Sequence, residues 1–226
     1  MTAIFTYAAP DAAYALGDGA FVGFHSGRLR EIKTKILDAA ADKSAVLAVS
    51  GPQKLNSRLS AQLRQFASFD DVVDGLEAEV IEIAKTLAFG FFSMRLVGWS
   101  RARSKAEVYK ISGGAWPGAE AKTPVLIETT GLSVISPQEE PPIPDATRHF
   151  YQAHRLGCAP QFSATAHAVP YFFATRAKPS PLNGKHVVGG FIEEVKITAA
   201  GTRRRIVGEW ADDQIGELIN PQMKAA

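Results

Sequence analysis

The order of apolar patterns along the chain constrains the fold most strongly. Runs rich in β-branched and aromatic residues predict strands, and apolar residues at three- and four-residue steps predict helices. Strands, two helices, strands, two helices and strands follow one another, which predicts an α+β protein with a four-layer α-β-β-α sandwich. The predicted strands are 3–7, 12–16, 30–36, 45–49, 95–99, 106–111, 125–127 with 132–135 as a pair or one kinked strand, 191–197 and 205–210, and the helices are 55–66, 70–87, 145–156 and 163–175.

Length and charge point to a single domain without a strongly charged partner. No linker-like stretch divides the 226 residues, so we expect one domain over 1–226 with a short tail from about residue 211. The formal net charge of +2 implies no acidic partner. The basic run 203–205 has no interleaved aromatic residue, which favours a solvated turn over a nucleic-acid surface.

Thr2 provides the first chemical signal, because it follows Met1 directly. If Met1 is removed, Thr2 carries both a hydroxyl and a free α-amine, whose ordinary pKa is roughly 7.7–8.0. That amine can accept the hydroxyl proton, so the threonine becomes a nucleophile that supplies its own base. Aminopeptidases generally remove a methionine that precedes a small residue, and Thr2 fits that preference. An ordinary first residue of an edge strand is the alternative interpretation.

Asp18 is the acid that we expect beside Thr2. A hairpin formed by strands 3–7 and 12–16 would return the chain to its own start, and Asp18 follows between two glycines. Lys33 and Lys35 differ by two positions, so both side chains would leave the same face of a strand. Asp18 could also be a turn residue, and either lysine could be a solvated strand charge.

These residues resemble the threonine proteases among the N-terminal nucleophile hydrolases: the proteasome β-subunits and the bacterial proteasome-like subunit of an ATP-dependent protease. In that family an aspartate follows the first threonine by sixteen positions, as Asp18 follows Thr2. The resemblance extends to about residue 198. Its further motifs are Gly17-Asp18-Gly19, Lys35-Ile36, Ala48-Val49-Ser50-Gly51, Val108-Tyr109-Lys110-Ile111 and Val188-Gly189-Gly190.

The resemblance implies a role for each candidate residue. Thr2 would attack a carbonyl carbon, and Lys35, held cationic by Asp18, would lower the pKa of the nearby amine and hydroxyl. The amide of Gly51 would stabilise the oxyanion. Thr130 matches most nearly the serine that the family carries in a Gly-Ser-Gly turn. The family's aspartate before the Gly-Gly strand has no counterpart, since residues 177–192 contain no acid.

The resemblance and the composition together give the expected function. We expect an N-terminal-threonine amide hydrolase, most simply a peptidase that forms an acyl-enzyme with a peptide or amide substrate. A non-catalytic assembly or binding module of the same fold is the alternative, which the missing acid favours. Hydrolysis of a small-molecule acylamide is a third interpretation. Family members assemble, so we expect a homo-oligomer such as a ring, although the sequence determines neither ring size nor an ATPase partner.

The remaining residue patterns suggest no cofactor and no membrane. Residues 1–24 lack the basic region of a signal peptide, and no apolar run approaches a membrane span. We therefore expect a cytoplasmic protein without cofactor, metal, nucleic acid or membrane partner. The single cysteine, Cys158, is expected to be a buried structural thiol. The histidines show no metal spacing; they are His25, His149, His154, His167 and His186.

Overall fold

A computed structural model describes residues 2–86, 90–114 and 122–221 of the chain. Twelve strands and four α-helices form the described part. The strands are β1 (Ile4–Ala8), β2 (Ala13–Asp18), β3 (Ala20–Val22), β4 (Leu29–Ile32), β5 (Ile36–Asp38), β6 (Ala45–Ser50), β7 (Phe92–Ser100), β8 (Lys105–Gly113), β9 (Ile127–Thr129), β10 (Leu132–Ile135), β11 (Phe191–Thr198) and β12 (Gly201–Glu209). The helices are α1 (Gln53–Gln62), α2 (Phe69–Thr86), α3 (Asp145–Arg155) and α4 (Val169–Arg176).

The strands form two five-stranded antiparallel sheets and one small hairpin. The first sheet has the order β10-β1-β2-β11-β12, and the second has the order β5-β6-β7-β8-β9. The hairpin pairs β3 with β4. The first sheet confirms the predicted hairpin between β1 and β2, in which Ile4 lies opposite Gly17 and Ala8 lies opposite Ala13. The chain therefore returns to its own start at Asp18.

Three clusters of buried apolar side chains join these elements. One combines α1 and α2 with β6 and β7, and contains Leu59, Val72 and Leu47. A second combines α3 and α4 with β1 and β2, and contains Phe150, Phe172 and Phe5. The third contains residues of both large sheets, such as Ile4 and Val97. The chain is thus a mixed α/β protein with antiparallel sheets.

Helices α1 and α2 begin one or two residues before their predicted starts, α3 begins at the predicted residue, and α4 begins six residues after its predicted start. Helix α2 begins at Phe69, and Ser68 and Asp71 bind each other's amide groups as in a capping box. A five-residue π-helix, Ala164–Ala168, precedes α4 and takes the first part of the predicted helix 163–175. Leu87, the last residue of the predicted second helix, lies outside the described residues.

Two strand predictions were wrong, because the neighbouring residues in the sequence do not determine which strands pair. Residues 30–36 do not form one strand: β4 pairs with β3, whereas β5 joins the second large sheet. Residues 33–35, including both lysines, connect the two. Strands β9 and β10 form neither a pair nor one strand, since β9 pairs with β8 and β10 pairs with β1. The connection at Thr130 therefore crosses from one large sheet to the other.

Candidate active site

The carboxylate of Asp18 is the centre of a buried polar cluster at the end of β2. Its Oδ1 accepts from the amide of Ala3 at 2.8 Å, and its Oδ2 accepts from Lys35 Nζ at 2.9 Å. The amides of Ala20 and Gly189 also donate to Oδ2, at 3.2 and 3.5 Å. Asp18 is fully buried. Charge-assisted hydrogen bonds from several directions therefore fix its orientation.

Lys35, and not Lys33, reaches this carboxylate. The Lys35 side chain is 2% exposed, whereas that of Lys33 is 39% exposed and pairs with Glu31 at 2.7 Å. Burial lowers the pKa of the Lys35 ammonium below its usual value, and the charge and hydrogen bond of Asp18 oppose this effect. Asp18 therefore favours the charged form of Lys35 against the cost of its burial.

Thr2 lies beside the Asp18 carboxylate. The Ala3 amide that donates to Asp18 is covalently joined to the carbonyl carbon of Thr2, so this hydrogen bond holds the backbone of Thr2 at the cluster. The amide of Asp18 donates back to the Ala3 carbonyl at 3.3 Å. Thr2 is 4% exposed. The first residues of β1 are thus held by Asp18 through both backbone and side chain.

Gly51 directly follows β6, the strand whose Val49 pairs with Lys35. The amide of Val49, at the end of β6, donates to the Lys35 carbonyl at 3.0 Å, and Gly51 follows two residues later. A Cβ at Gly51 would lie 3.0 Å from Phe92 Cβ and 3.2 Å from Leu55 Cδ2. A larger residue here would therefore crowd β7 and α1.

Thr130 is the predicted site residue that the structure places elsewhere. In the pairing of β1 with β10, Ile4 lies opposite Ile135 and Tyr7 lies opposite Leu132. Thr130 therefore lies beyond the far end of β1, roughly 20 Å from Thr2 along the strand direction. It is also exposed. The prediction failed because the resemblance was matched to a Thr-Gly pair without knowledge of this register.

Ser136 directly follows β10, at the end of that strand that pairs with the start of β1. Continuing the register of β1 and β10 brings Ser136 level with Ala3, next to Thr2. The buried Tyr171 donates to the neighbouring Ile135 carbonyl at 2.6 Å, which fixes this end of β10. Burial raises the pKa of Tyr171, so its hydroxyl stays a donor. The sequence contained Ser136 but no motif around it that distinguished it from other serines.

A buried acid also approaches the Gly189-Gly190 segment, although the local sequence contains none. Asp213, in the tail after β12, accepts from the Gly190 amide at 2.7 Å. Its carboxylate is bound by Arg176 through two contacts of 2.8 and 2.7 Å. No sequence signal identified Asp213, because it lies more than twenty residues after the segment that it contacts.

The described residues offer neither a metal site nor a membrane-spanning helix. No group of three or more His, Cys, Asp or Glu side chains within them could hold a metal ion. Among the same residues, no helix combines the length and the apolar character that a bilayer crossing needs. Cys158 is exposed, so the prediction of a buried thiol was wrong. It lies directly after Gly157, which has a left-handed φ of 71° in the turn that follows α3.

Comparisons with known proteins give a similarity of fold. Neither a protein-family profile nor a characterised protein matches the sequence. Among solved structures, a (Gly-1) mutant of Anbu from Hyphomicrobium sp. strain MC1 has a TM-score of 0.60 at 15% identity, covering 95% of this chain and 90% of that one. Another Anbu structure from the same strain has a TM-score of 0.59 at 12% identity, covering 94% and 89%. The fold of this chain is therefore similar to that of Anbu, a bacterial proteasome-like protein.

Proposed function

We propose that the chain is an N-terminal-threonine amide hydrolase, and specifically a peptidase that forms an acyl-enzyme. One observation carries this proposal: a buried carboxylate, Asp18, binds both the amide that follows Thr2 and the ammonium of Lys35. A nucleophile, an acid and a lysine thus converge where a strand begins. Activity requires the removal of Met1, since only then does Thr2 carry a free α-amine.

In the first step, Thr2 Oγ1 attacks the carbonyl carbon of the substrate. The hydroxyl proton passes to the α-amine, directly or through water, and Lys35 favours this transfer by its positive potential. Asp18 sets the position of Lys35 relative to Thr2, because it binds the lysine and the adjoining backbone at once.

In the second step, the tetrahedral intermediate that this attack produced collapses. The backbone N–H of Gly51 donates to the oxyanion, and the leaving amine takes the proton that the hydroxyl gave up. An ester between Thr2 and the acyl group remains, and water hydrolyses it by the reverse sequence of proton transfers. We assign the role of the family's serine, a hydroxyl near the α-amine of Thr2, to Ser136 rather than Thr130. The reason is that the register of β1 and β10 brings Ser136 level with Ala3.

We further propose the four-layer α-β-β-α sandwich and a homo-oligomeric state. The three apolar clusters fit one helix pair on each outer side and two sheets between them. The similarity to Anbu supports this architecture. The outer faces of α1 and α2 are the proposed contacts between subunits, and a ring is the arrangement that the resemblance suggests. We also propose that the protein acts in the cytoplasm.

Two alternatives use the same fold. A non-catalytic assembly module would retain the sandwich without turnover, and the position of Thr130 away from Thr2 favours it over a complete copy of the family's site. A small-molecule acylamide hydrolase would use the same residues with another substrate. Both alternatives give distinct results in the experiment below.

The experiment combines intact mass with covalent labelling. Natively expressed protein should lack Met1 and should gain the mass of one β-lactone acyl group, whereas the Thr2→Ala variant should gain none. Lys35→Ala should label at least about 100-fold more slowly, because the site loses the cation that favours proton transfer from the Thr2 hydroxyl. The matched control Lys33→Ala should label like the wild type, since Lys33 pairs with Glu31 outside the cluster.

Each alternative has its own outcome. Retention of Met1 together with absence of labelling would support the non-catalytic module. Labelling of Thr2 with turnover of small acylamides but no cleavage of peptide amides would support the small-molecule hydrolase. Labelling that survives Thr2→Ala would overturn the assignment of the nucleophile.

A further inference from the structure

Residues 210–221, here termed the C-terminal strap, run against the backbone that supports the proposed active site. The strap begins at Trp210, whose amide donates to the Gly190 carbonyl at 2.8 Å. Asp213 follows, and its side chain is 1% exposed. The sequence predicted a short tail from about residue 211. Its contacts show a buried charged group directed at the Gly189-Gly190 segment.

An ion pair within the fold holds the strap carboxylate in place. Arg176, at the end of α4, binds both oxygens of Asp213, and its own side chain is 1% exposed. The same guanidinium donates to the carbonyls of Val188 and Asn220, at 2.9 and 2.8 Å. It also lies 4.8 Å from the Trp210 ring. Bidentate Arg–carboxylate pairing gives a fixed geometry as well as energy, so Asp213 has little freedom to move.

The Gly189-Gly190 segment lies between the carboxylates of Asp213 and Asp18. Gly190 donates to Asp213 Oδ2 at 2.7 Å, while the preceding amide, that of Gly189, faces Asp18 Oδ2 at 3.5 Å. The amide of Gly19 donates to the carbonyls of Gly189 and Phe191, at 3.1 and 2.9 Å. A Cβ at Gly189 would lie 2.3 Å from Asp213 Oδ2. The chain therefore passes between two carboxylates at a point where only glycine fits.

The strap also binds the hairpin that leads to Lys35. The amide of Leu29 donates to the Glu217 carbonyl, and the amide of Gly216 donates to the Leu29 carbonyl, both at 2.8 Å. Ile219 packs with Ala20 and Leu29 in a small buried cluster. Residues 33–35 follow strand β4. The strap therefore contacts the segment that precedes Lys35 and also the Gly189-Gly190 segment beside Asp18.

From these contacts we propose that Asp213 is a positioning residue for the proposed hydrolase: held by Arg176, it fixes Gly189-Gly190 and thereby sets the orientation of Asp18. The inference rests on the proposed function for its effect on catalysis. Asp213 donates no group to the reaction. It acts through the backbone amides that border the Asp18 carboxylate.

The test compares Asp213→Asn with Glu217→Gln. Oδ2 of Asp213 accepts from Gly190 and from Arg176 Nη1, and Oδ1 accepts from Arg176 Nη2. The first variant replaces one of these acceptor oxygens by an amide donor, so at least one of the three contacts is lost and the buried Arg176 loses its counter-charge. The second removes an exposed strap charge, whose contact with Arg28 is 3.8 Å long. Asp213→Asn should slow β-lactone labelling of Thr2 about 10- to 100-fold and shift its pH profile, as expected when a catalytic group is misplaced. Glu217→Gln should change neither rate nor profile.

Hydrogen exchange provides a readout that does not depend on activity. In Asp213→Asn, the amides of Gly19 and Gly190 should exchange at least about tenfold faster, because their local structure opens more often. Unchanged protection of Gly19 would overturn the proposal. A folded variant that loses this protection yet labels with the wild-type rate and pH profile would overturn it as well, since the strap would then be merely structural.

A replacement variant and a readout without labelling cover the cases in which Asp213→Asn does not fold or the wild type does not label. If Asp213→Asn does not fold, Arg176→Lys takes its place: it keeps the charge but loses the two-pronged contact, and it should give the same slower labelling and faster exchange. If the wild type never labels, the proposed function fails, while positioning is decided by exchange at Gly19 and by NMR titration of Lys35. A Lys35 titration unchanged by the variant would then refute the proposal.

Discussion

Replacement of Lys35 by methionine measures how strongly the proposed site depends on one buried ion pair. The two side chains are 2% and 0% exposed, and Nζ lies 2.9 Å from Asp18 Oδ2. Methionine keeps most of the apolar stem but leaves the carboxylate without a counter-charge. Breaking a buried pair in this way costs about 3–5 kcal/mol. Because the amides of Ala3 and Ala20 still donate to Asp18, we expect about 3 kcal/mol, the lower end of that range.

Urea unfolding followed by tryptophan fluorescence measures this loss. Lys33→Met is the matched control and should cost at most about 1 kcal/mol, since Lys33 pairs with Glu31 near the surface. The double variant Lys35→Met with Asp18→Asn should be more stable than Lys35→Met alone, because it no longer buries a carboxylate without a counter-charge. The reasoning is refuted if Lys35→Met costs less than about 1 kcal/mol, or if the second substitution recovers nothing.

Two further predictions concern the charge of Lys35 and the assembly. Asp18 raises the pKa of Lys35 against the lowering effect of burial, so Asp18→Asn should lower that pKa further and the lysine should lose its proton at lower pH. An NMR titration of the lysine Cε signal measures the midpoint, and a midpoint that stays or rises would contradict the assignment. Light scattering at high micromolar concentration should give a mass above that of one chain; the mass of a single chain would count against the ring but not against the fold.

The local part of the site was predictable from the sequence. A hairpin of a few residues fixes its own geometry, so a strand pattern, a turn and a second strand pattern were enough to bring Asp18 to the residues that follow Thr2. The choice of Lys35 over Lys33 depended on the order of the family's motifs. The structure then shows why the two lysines differ: one is buried against Asp18, and the other remains with Glu31 near solvent.

The non-local part of the site could not be predicted. A period of two continues from residue 30 to 36, yet the chain breaks at Thr34, whose hydroxyl binds Glu193 and the Ile36 amide and thereby ends one sheet and starts another. The position of Ser136 depends on the pairing of β1 with β10, which are separated by more than a hundred residues. Asp213 reaches its place only because α4 supplies Arg176 to bind it.

Gly190 lies between the contacts of Asp213 and those of Asp18, and Gly157 is a matched control for a substitution at this position. Both glycines have left-handed backbones, with φ of 75° and 71°. Alanine at either position should therefore cost about 1–2 kcal/mol from backbone conformation alone. A Cβ at Gly157 meets nothing within 4 Å, whereas one at Gly190 would lie 2.9 Å from Ile32 Cγ2 and 3.4 Å from the Gly19 carbonyl carbon.

Gly190→Ala should consequently destabilise the protein by about 1–3 kcal/mol more than Gly157→Ala, the usual cost of forcing an extra carbon into a packed site. Paired urea unfolding experiments measure the difference. Gly190→Ala should also slow the labelling of Thr2, because Gly19 follows Asp18 directly, while Gly157→Ala should leave labelling unchanged. Equal losses of stability in the two variants would mean that Ile32 moves aside freely. The Gly189-Gly190 segment would then tolerate displacement, and the positioning assigned to Asp213 would lose its structural basis.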